Sequence, residues 1–216
     1  MMKFFYCLLL LCSVNAVADD SQELAKLLAQ YKTIKGDFAQ SLQDSKGEII
    51  QESSGIFTVK SPGFFRWDTQ LPFPQLLVSN LEDIWLYDPD LEQVTIRPYR
   101  QEIDQSPALL LSGNVEKISE IYSIKKISSI AKEDDVNSAS STDIISYFVL
   151  TPKQTNNVFL QLYLGFADKQ LHEMRLEDSL GQTTRFIFKN MTLNTLIDDG
   201  IFEFSIPDGV DVLIDE

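Results

Sequence analysis

Short alternating stretches, cut at close intervals by Gly, Pro, Asn and Asp, dominate this chain from residue 37 to residue 189. Turn signals stand at Asp44-Ser45-Lys46-Gly47, Ser61-Pro62-Gly63, Leu71-Pro72-Phe73-Pro74, residues 80–83 and Asp88-Pro89-Asp90. Between and after them lie strand patterns: a loose alternation around Phe38, Gln40 and Leu42, a second stretch ending at Lys60, then residues 64–68, 76–79, 84–87, 92–97, 123–130, 144–150, 158–164, 170–176 and 183–189. Phe202, Phe204 and Ile206 alternate near the end, and Pro207-Asp208-Gly209 closes the fold. Parallel strands need long, usually helical, crossovers. No such rhythm occurs here, and no internal repeat. The pattern predicts about ten antiparallel strands in one large curved sheet.

Three helices break the pattern. Ser21 can cap the first, with Glu23 in its first turn and Leu24, Leu27, Leu28 and Tyr31 at helical spacing, ending near Lys35-Gly36. The second, SPALLLSG at residues 106–113, has a cap at Ser106, a first-turn proline and a terminal glycine. It carries Ala108, Leu109, Leu110 and Leu111 on most of its faces, so it must lie on apolar surface. The third, residues 115–122, repeats Val115, Ile118 and Ile121. A curved sheet is filled either by its own side chains or by a helix plus a cavity. The apolar helices favour the second. The expected fold is mainly β (α+β): an incompletely closed antiparallel β-barrel, or highly curved sheet, with a helical lid over a hydrophobic cavity. Residues 132–142 read as a polar loop.

The first eighteen of the 216 residues read as a secretory signal peptide: one charge at Lys3, an apolar core from Phe4 to Leu11, and Ala16-Val17-Ala18 before the cut. Both cysteines, Cys7 and Cys12, fall inside it, so the mature chain has no disulfide and no thiol chemistry. Leu11 is too large to precede a lipid-attachment cysteine. The expected product is residues 19–216, a single soluble domain in the space beyond an inner membrane. Losing Lys3 moves the formal charge from -14 to -15. So acidic a chain does not seek nucleic acid or an anionic bilayer.

Catalytic devices are missing from the pattern. The single histidine, His172, shares a strand with Met174 and Leu176 and has no partner for a nucleophilic triad. Asp88 and Asp90 flank a proline turn, and a hard cation needs more oxygens than they offer. Glu133-Asp134-Asp135 and Asp198-Asp199 are charge runs on turns, and Gly181 and Gly200 are isolated turn glycines rather than a phosphate loop. Two carboxylates would suffice for a glycosidase, but nothing singles out a pair. No enzyme activity, cofactor or metal is expected.

Residues 63–94, GFFRWDTQLPFPQLLVSNLEDIWLYDPDLEQV, carry a resemblance. Phe65-Arg66-Trp67, the proline-bearing turn, Leu77-Val78-Ser79 and Trp85-Leu86-Tyr87-Asp88-Pro89 are together similar to the periplasmic outer-membrane lipoprotein carrier family (LolA-like). Phe38-Ala39-Gln40, residues 55–62, Ser106-Pro107-Ala108-Leu109-Leu110-Leu111 and Leu150-Thr151-Pro152-Lys153 extend the match along most of the mature chain. The resemblance implies a cavity for the acyl chains of triacylated lipoproteins. It also implies two partners: an inner-membrane ABC-type release complex and an outer-membrane lipoprotein receptor.

On that reading the cavity floor is Phe38, Phe57, Val59, Trp67, Leu77, Trp85, Tyr87 and Met174, and the lid is Leu24, Leu27, Leu28, Leu109, Leu110 and Leu111. Phe65 falls at a family position associated with docking to the release complex. The family's arginine before the proline, linked to lid closure, is Ser61 here. Lys60 and Arg66 are the candidates to replace it, although lysine lacks arginine's planar fork. The alternative reading is a lipid- or glycolipid-binding module on the same fold, and an outer-membrane receptor of similar shape is a third.

Overall fold

The computed structural model describes residues 19–99, 111, 115–129, 145–154 and 159–215. The signal-peptide segment, Leu109, Leu110 and the polar loop lie outside them.

Helix α1 (Asp20–Ala29) is capped two residues earlier than expected. Asp19 is its cap, accepting from the Ser21 backbone N–H at 3.3 Å and the Ser21 hydroxyl at 2.8 Å, while Asp20 and Glu23 face the positive end of the dipole. It also stops earlier, at Gln30, because Asn194 clamps the exit: its Nδ2 donates to Gln30 O and its Oδ1 accepts from Lys32 N. Lys35-Gly36, expected as the helix end, already lies in the first strand.

Among the described residues one sheet holds twelve strands: β1 (Thr33–Gln43), β2 (Ile49–Lys60), β3 (Phe64–Leu71), β4 (Gln75–Asn80), β5 (Asp83–Asp88), β6 (Gln93–Pro98), β7 (Tyr122–Ser129), β8 (Ile145–Pro152), β9 (Phe159–Ala167), β10 (Gln170–Asp178), β11 (Thr183–Leu193) and β12 (Asp211–Ile214). Their order is β12-β6-β5-β4-β3-β2-β1-β11-β10-β9-β8-β7, so among the described residues β12 and β7 are the sheet's edges and the barrel is incompletely closed. β1 sits mid-sheet, and the two runs β2–β6 and β11–β7 spread from it in opposite directions. The chain must therefore travel from one side of the sheet to the other between β6 and β7. Between these two runs, Tyr99, Leu111 and Ile118, the last on α2 (Val115–Ile121), are buried in the main core on the inner face.

Register breaks on β1 at Lys35/Asp37 and Leu42/Gln43, and on β10 at Leu171/Glu173, add local twist that helps the sheet curl. Gly55 is needed opposite Phe38: a Cβ there would stand 1.9 Å from Asp68 O and 2.9 Å from the Phe38 ring. Gly63, at φ +80°, turns β2 into β3 in a space where a Cβ would strike Leu81 and Tyr99.

The C-terminal segment departs from the expected strand. Residues Asp199–Phe202 form a 3₁₀ turn, and Phe202 and Phe204 pack on the outer face of the sheet instead of joining the ladder. The chain passes over β3 at Phe202 and over β5 at Phe204, and then continues past Pro207-Asp208-Gly209. It enters the sheet as β12, parallel to β6, the one parallel pair among the described residues.

Candidate functional site

Strand alternation aims one set of side chains inward. Phe38 on β1, Phe57 and Val59 on β2, Phe65 and Trp67 on β3, Leu77 on β4, Phe186 and Phe188 on β11, and Met174 on β10 belong to one apolar cluster. Trp67 is its hub. Its ring stacks on Phe38 at 4.1 Å, lies 5.5 Å from Phe57 and 5.8 Å from Phe65, and meets Phe186 edge-on at 5.4 Å. Phe188 completes the group, 5.1 Å from Phe57. Phe186 and Phe188 were missed in the sequence reading, although the Phe-Ile-Phe alternation at 186–188 was the signal that could have found them.

The roof of this floor is α1 together with Leu111 and Ile118. Leu24, Leu28 and Leu111 are buried in the same cluster, and Leu27 packs against it. Side chains tie α1 down. Glu23 pairs with Lys126 on β7 at 2.6 Å, and Asp20 accepts the Lys126 backbone N–H at 2.9 Å, which also occupies part of the β7 edge. Below the helix, the Tyr31 hydroxyl donates to Lys169 O and accepts from Leu171 N. Burial raises the Tyr31 hydroxyl above the ordinary tyrosine value, and burial does the same at Tyr99.

Five of the expected site residues lie elsewhere. Trp85 and Tyr87 face outward: with Val78 and Val94 they form a second cluster, covered by Phe204 at 6.5 Å and 5.6 Å. Register is the cause, since Trp85 pairs with outward Val78 while Ile84, its neighbour, takes the inward place. Lys60 and Arg66 alternate with inward Val59 and Phe65 and so point away from the lid. Lys60 pairs with Asp199, and Arg66 Nη1 donates to Ile201 O at 3.1 Å, so both hold the C-terminal turn. Phe65 is fully buried beside Trp67, which removes it from any exposed docking surface in this conformation.

Asp88 is accounted for by its turn, accepting from Asp90 N and Leu91 N at 3.1 Å each. Among the described residues no group of three metal-ligating side chains converges. What the arrangement offers is an apolar, aromatic floor on the inner face, covered by the leucines of α1 and by Leu111.

A profile of the family described as "Outer membrane lipoprotein carrier protein LolA" matches residues 29–205. The chain belongs to this family. It is 38% identical over 201 residues to the outer-membrane lipoprotein carrier protein of Hahella chejuensis, covering 93% of this chain and 91% of that one. It is 41% identical to the outer-membrane lipoprotein carrier protein of Pseudomonas aeruginosa, covering 92% and 90%. Among solved structures, an uncharacterized conserved protein from Thermus thermophilus superposes with a TM-score of 0.55 at 11% identity, covering 90% of this chain and 99% of that one. That likeness is one of fold. The fold class expected from alternation and from the resemblance, a mainly β open barrel with helices over its inner face, is the one this family member has.

Proposed function

We infer that this protein carries lipoproteins to the outer membrane, by holding their acyl chains on the inner face of the sheet. The observation that carries the reading is the aromatic floor centred on Trp67, closed by a helix that only side chains fasten. Acyl chains would take the place of Leu24, Leu28 and Leu111 against Phe38, Phe57, Val59, Leu77 and Met174 as the roof lifts. Each methylene taken out of water is worth about 0.8 kcal/mol, a gain the membrane offers as well, so transfer in either direction stays nearly balanced. The carrier works by binding alone, with no cofactor and no covalent step.

The finer reading follows from the family. The mature chain, residues 19–216, acts as a monomer in the periplasm, takes triacylated lipoproteins from an ABC-type release complex in the inner membrane and gives them to a receptor in the outer membrane. With Phe65 buried, docking to the release complex requires the β2–β3 end of the sheet to open first.

The test is native mass spectrometry of the mature protein after incubation with membrane vesicles that hold the release complex and a triacylated lipoprotein. A soluble one-to-one complex is expected. Recovery of bound free lipid or glycolipid, without lipoprotein, contradicts the carrier reading and favours the lipid-binding module.

A further inference from the structure

The inner face changes character along four adjacent strands at one level. Towards the β1–β2 and β3–β4 turns, the positions that continue the aromatic floor become neutral and polar. Gln40 follows Phe38 on β1, Thr69 follows Trp67 on β3, and Gln75 precedes Leu77 on β4. On β2, Ser53 and Gln51 continue beyond Gly55. Ladder register sets them side by side, Gln40 opposite Ser53 and Thr69 opposite Gln75. They line a groove of about 170 Å³ together with Phe73 and its two flanking prolines, and Phe73 is 67% exposed.

Three carboxamides and two hydroxyls therefore face one groove, and none of them has a side-chain hydrogen bond among the described residues. Asp88 is the one charge on the lining, and its Oδ1 is occupied by two backbone N–H groups. A glutamine side chain both donates and accepts, and so does a hydroxyl. Such a lining matches a peptide backbone without selecting its side chains. An anionic ligand finds no counter-charge here, and apolar contact is confined to Phe73 and its flanking prolines at one side of the groove.

We propose that this groove is the exit track for cargo: it binds, in extended form, the peptide segment that follows the acylated residue. The inference rests on the carrier reading above and adds to it. Acyl chains on the Trp67 floor leave the attached polypeptide to pass out of the cavity. A neutral track continuous with that floor lets it leave with its backbone groups paired, whatever its sequence.

Two synthetic probes test this: a triacylated glyceryl-cysteine amide, and the same head followed by ten neutral residues. The wild-type protein is expected to bind the longer probe about tenfold more tightly, the worth of one or two net hydrogen bonds. The pair Gln40→Leu/Thr69→Val should erase that gain and leave the short probe unchanged. Gln75→Leu, at an exposed position where folding is not at stake, should shrink the gain about threefold. Equal wild-type affinity for both probes, or equal weakening of both in the variants, overturns the exit track and leaves the carrier intact. Failure of the short probe to bind wild-type protein overturns the carrier reading and this proposal with it.

Discussion

The two tryptophans of this chain sit on opposite faces of one sheet, and their covers differ in kind. Over Trp85 lies the C-terminal segment, which is stitched into the sheet: β12 pairs with β6 from Asp211 to Ile214, and Lys60 and Arg66 anchor the turn before it. Over Trp67 lies α1, which joins no ladder and is held by Glu23, Asp20 and Tyr31. A cover built from backbone pairing stays. A cover fastened by a few side-chain bonds, each worth about 1 kcal/mol net, can lift once a ligand replaces the apolar burial of Leu24, Leu28 and Leu111. On the proposed carrier reading the inner face is the one that exchanges its own leucines for a ligand.

The sharpest way to break this comparison is to remove each indole. Trp67→Ala should cost about 3–5 kcal/mol in urea unfolding and abolish lipopeptide binding. Trp85→Ala should also destabilise, yet bind lipopeptide with unchanged affinity. Equal loss of binding in both would end the distinction between the faces. Next in size is Phe204→Ala, expected to lower stability by roughly 1–3 kcal/mol and speed amide exchange in β12 without touching the ligand.

Tyr31→Phe should cost about 1–2 kcal/mol, read as faster amide exchange in α1 than in β1–β3. The same hydroxyl gives a pH signature. Its folded value lies above the ordinary 10.0 because it is buried, so the folded state keeps a proton that the unfolded chain gives up. Stability is untouched below pH 10.0 and falls as pH climbs through the window up to the raised value; the Phe variant should show a shallower fall. Smallest of all, Lys60→Ala and Arg66→Ala should each cost under about 1 kcal/mol, since both ties are at the surface. Neither should alter lipoprotein release, whereas a role in lid closure would.

The contrast between the faces was only half legible in the sequence. Alternation places Phe65 with Trp67, and the same parity sets Lys60 and Arg66 on the other side. Around Trp85 the pattern is mute, because Ile84-Trp85-Leu86-Tyr87 is apolar at every position. Which of them points inward is decided by pairing with Val78 and Ser79 on β4, and that depends on the whole sheet. The C-terminal segment misled for a related reason: Phe202 and Phe204 alternate like strand residues but serve a sheet face. The roof was easier to read. Leu24 and Leu28 at helical spacing could only be buried, and the structure buries them together with Leu111.

The most direct measurement uses the two tryptophans as reporters, one per face. In Trp85→Phe protein the remaining Trp67 should change its emission when a triacylated lipopeptide is added. In Trp67→Phe protein, provided it stays folded, Trp85 should remain silent. A response from Trp85 with none from Trp67 would place the ligand on the outer face and contradict the account.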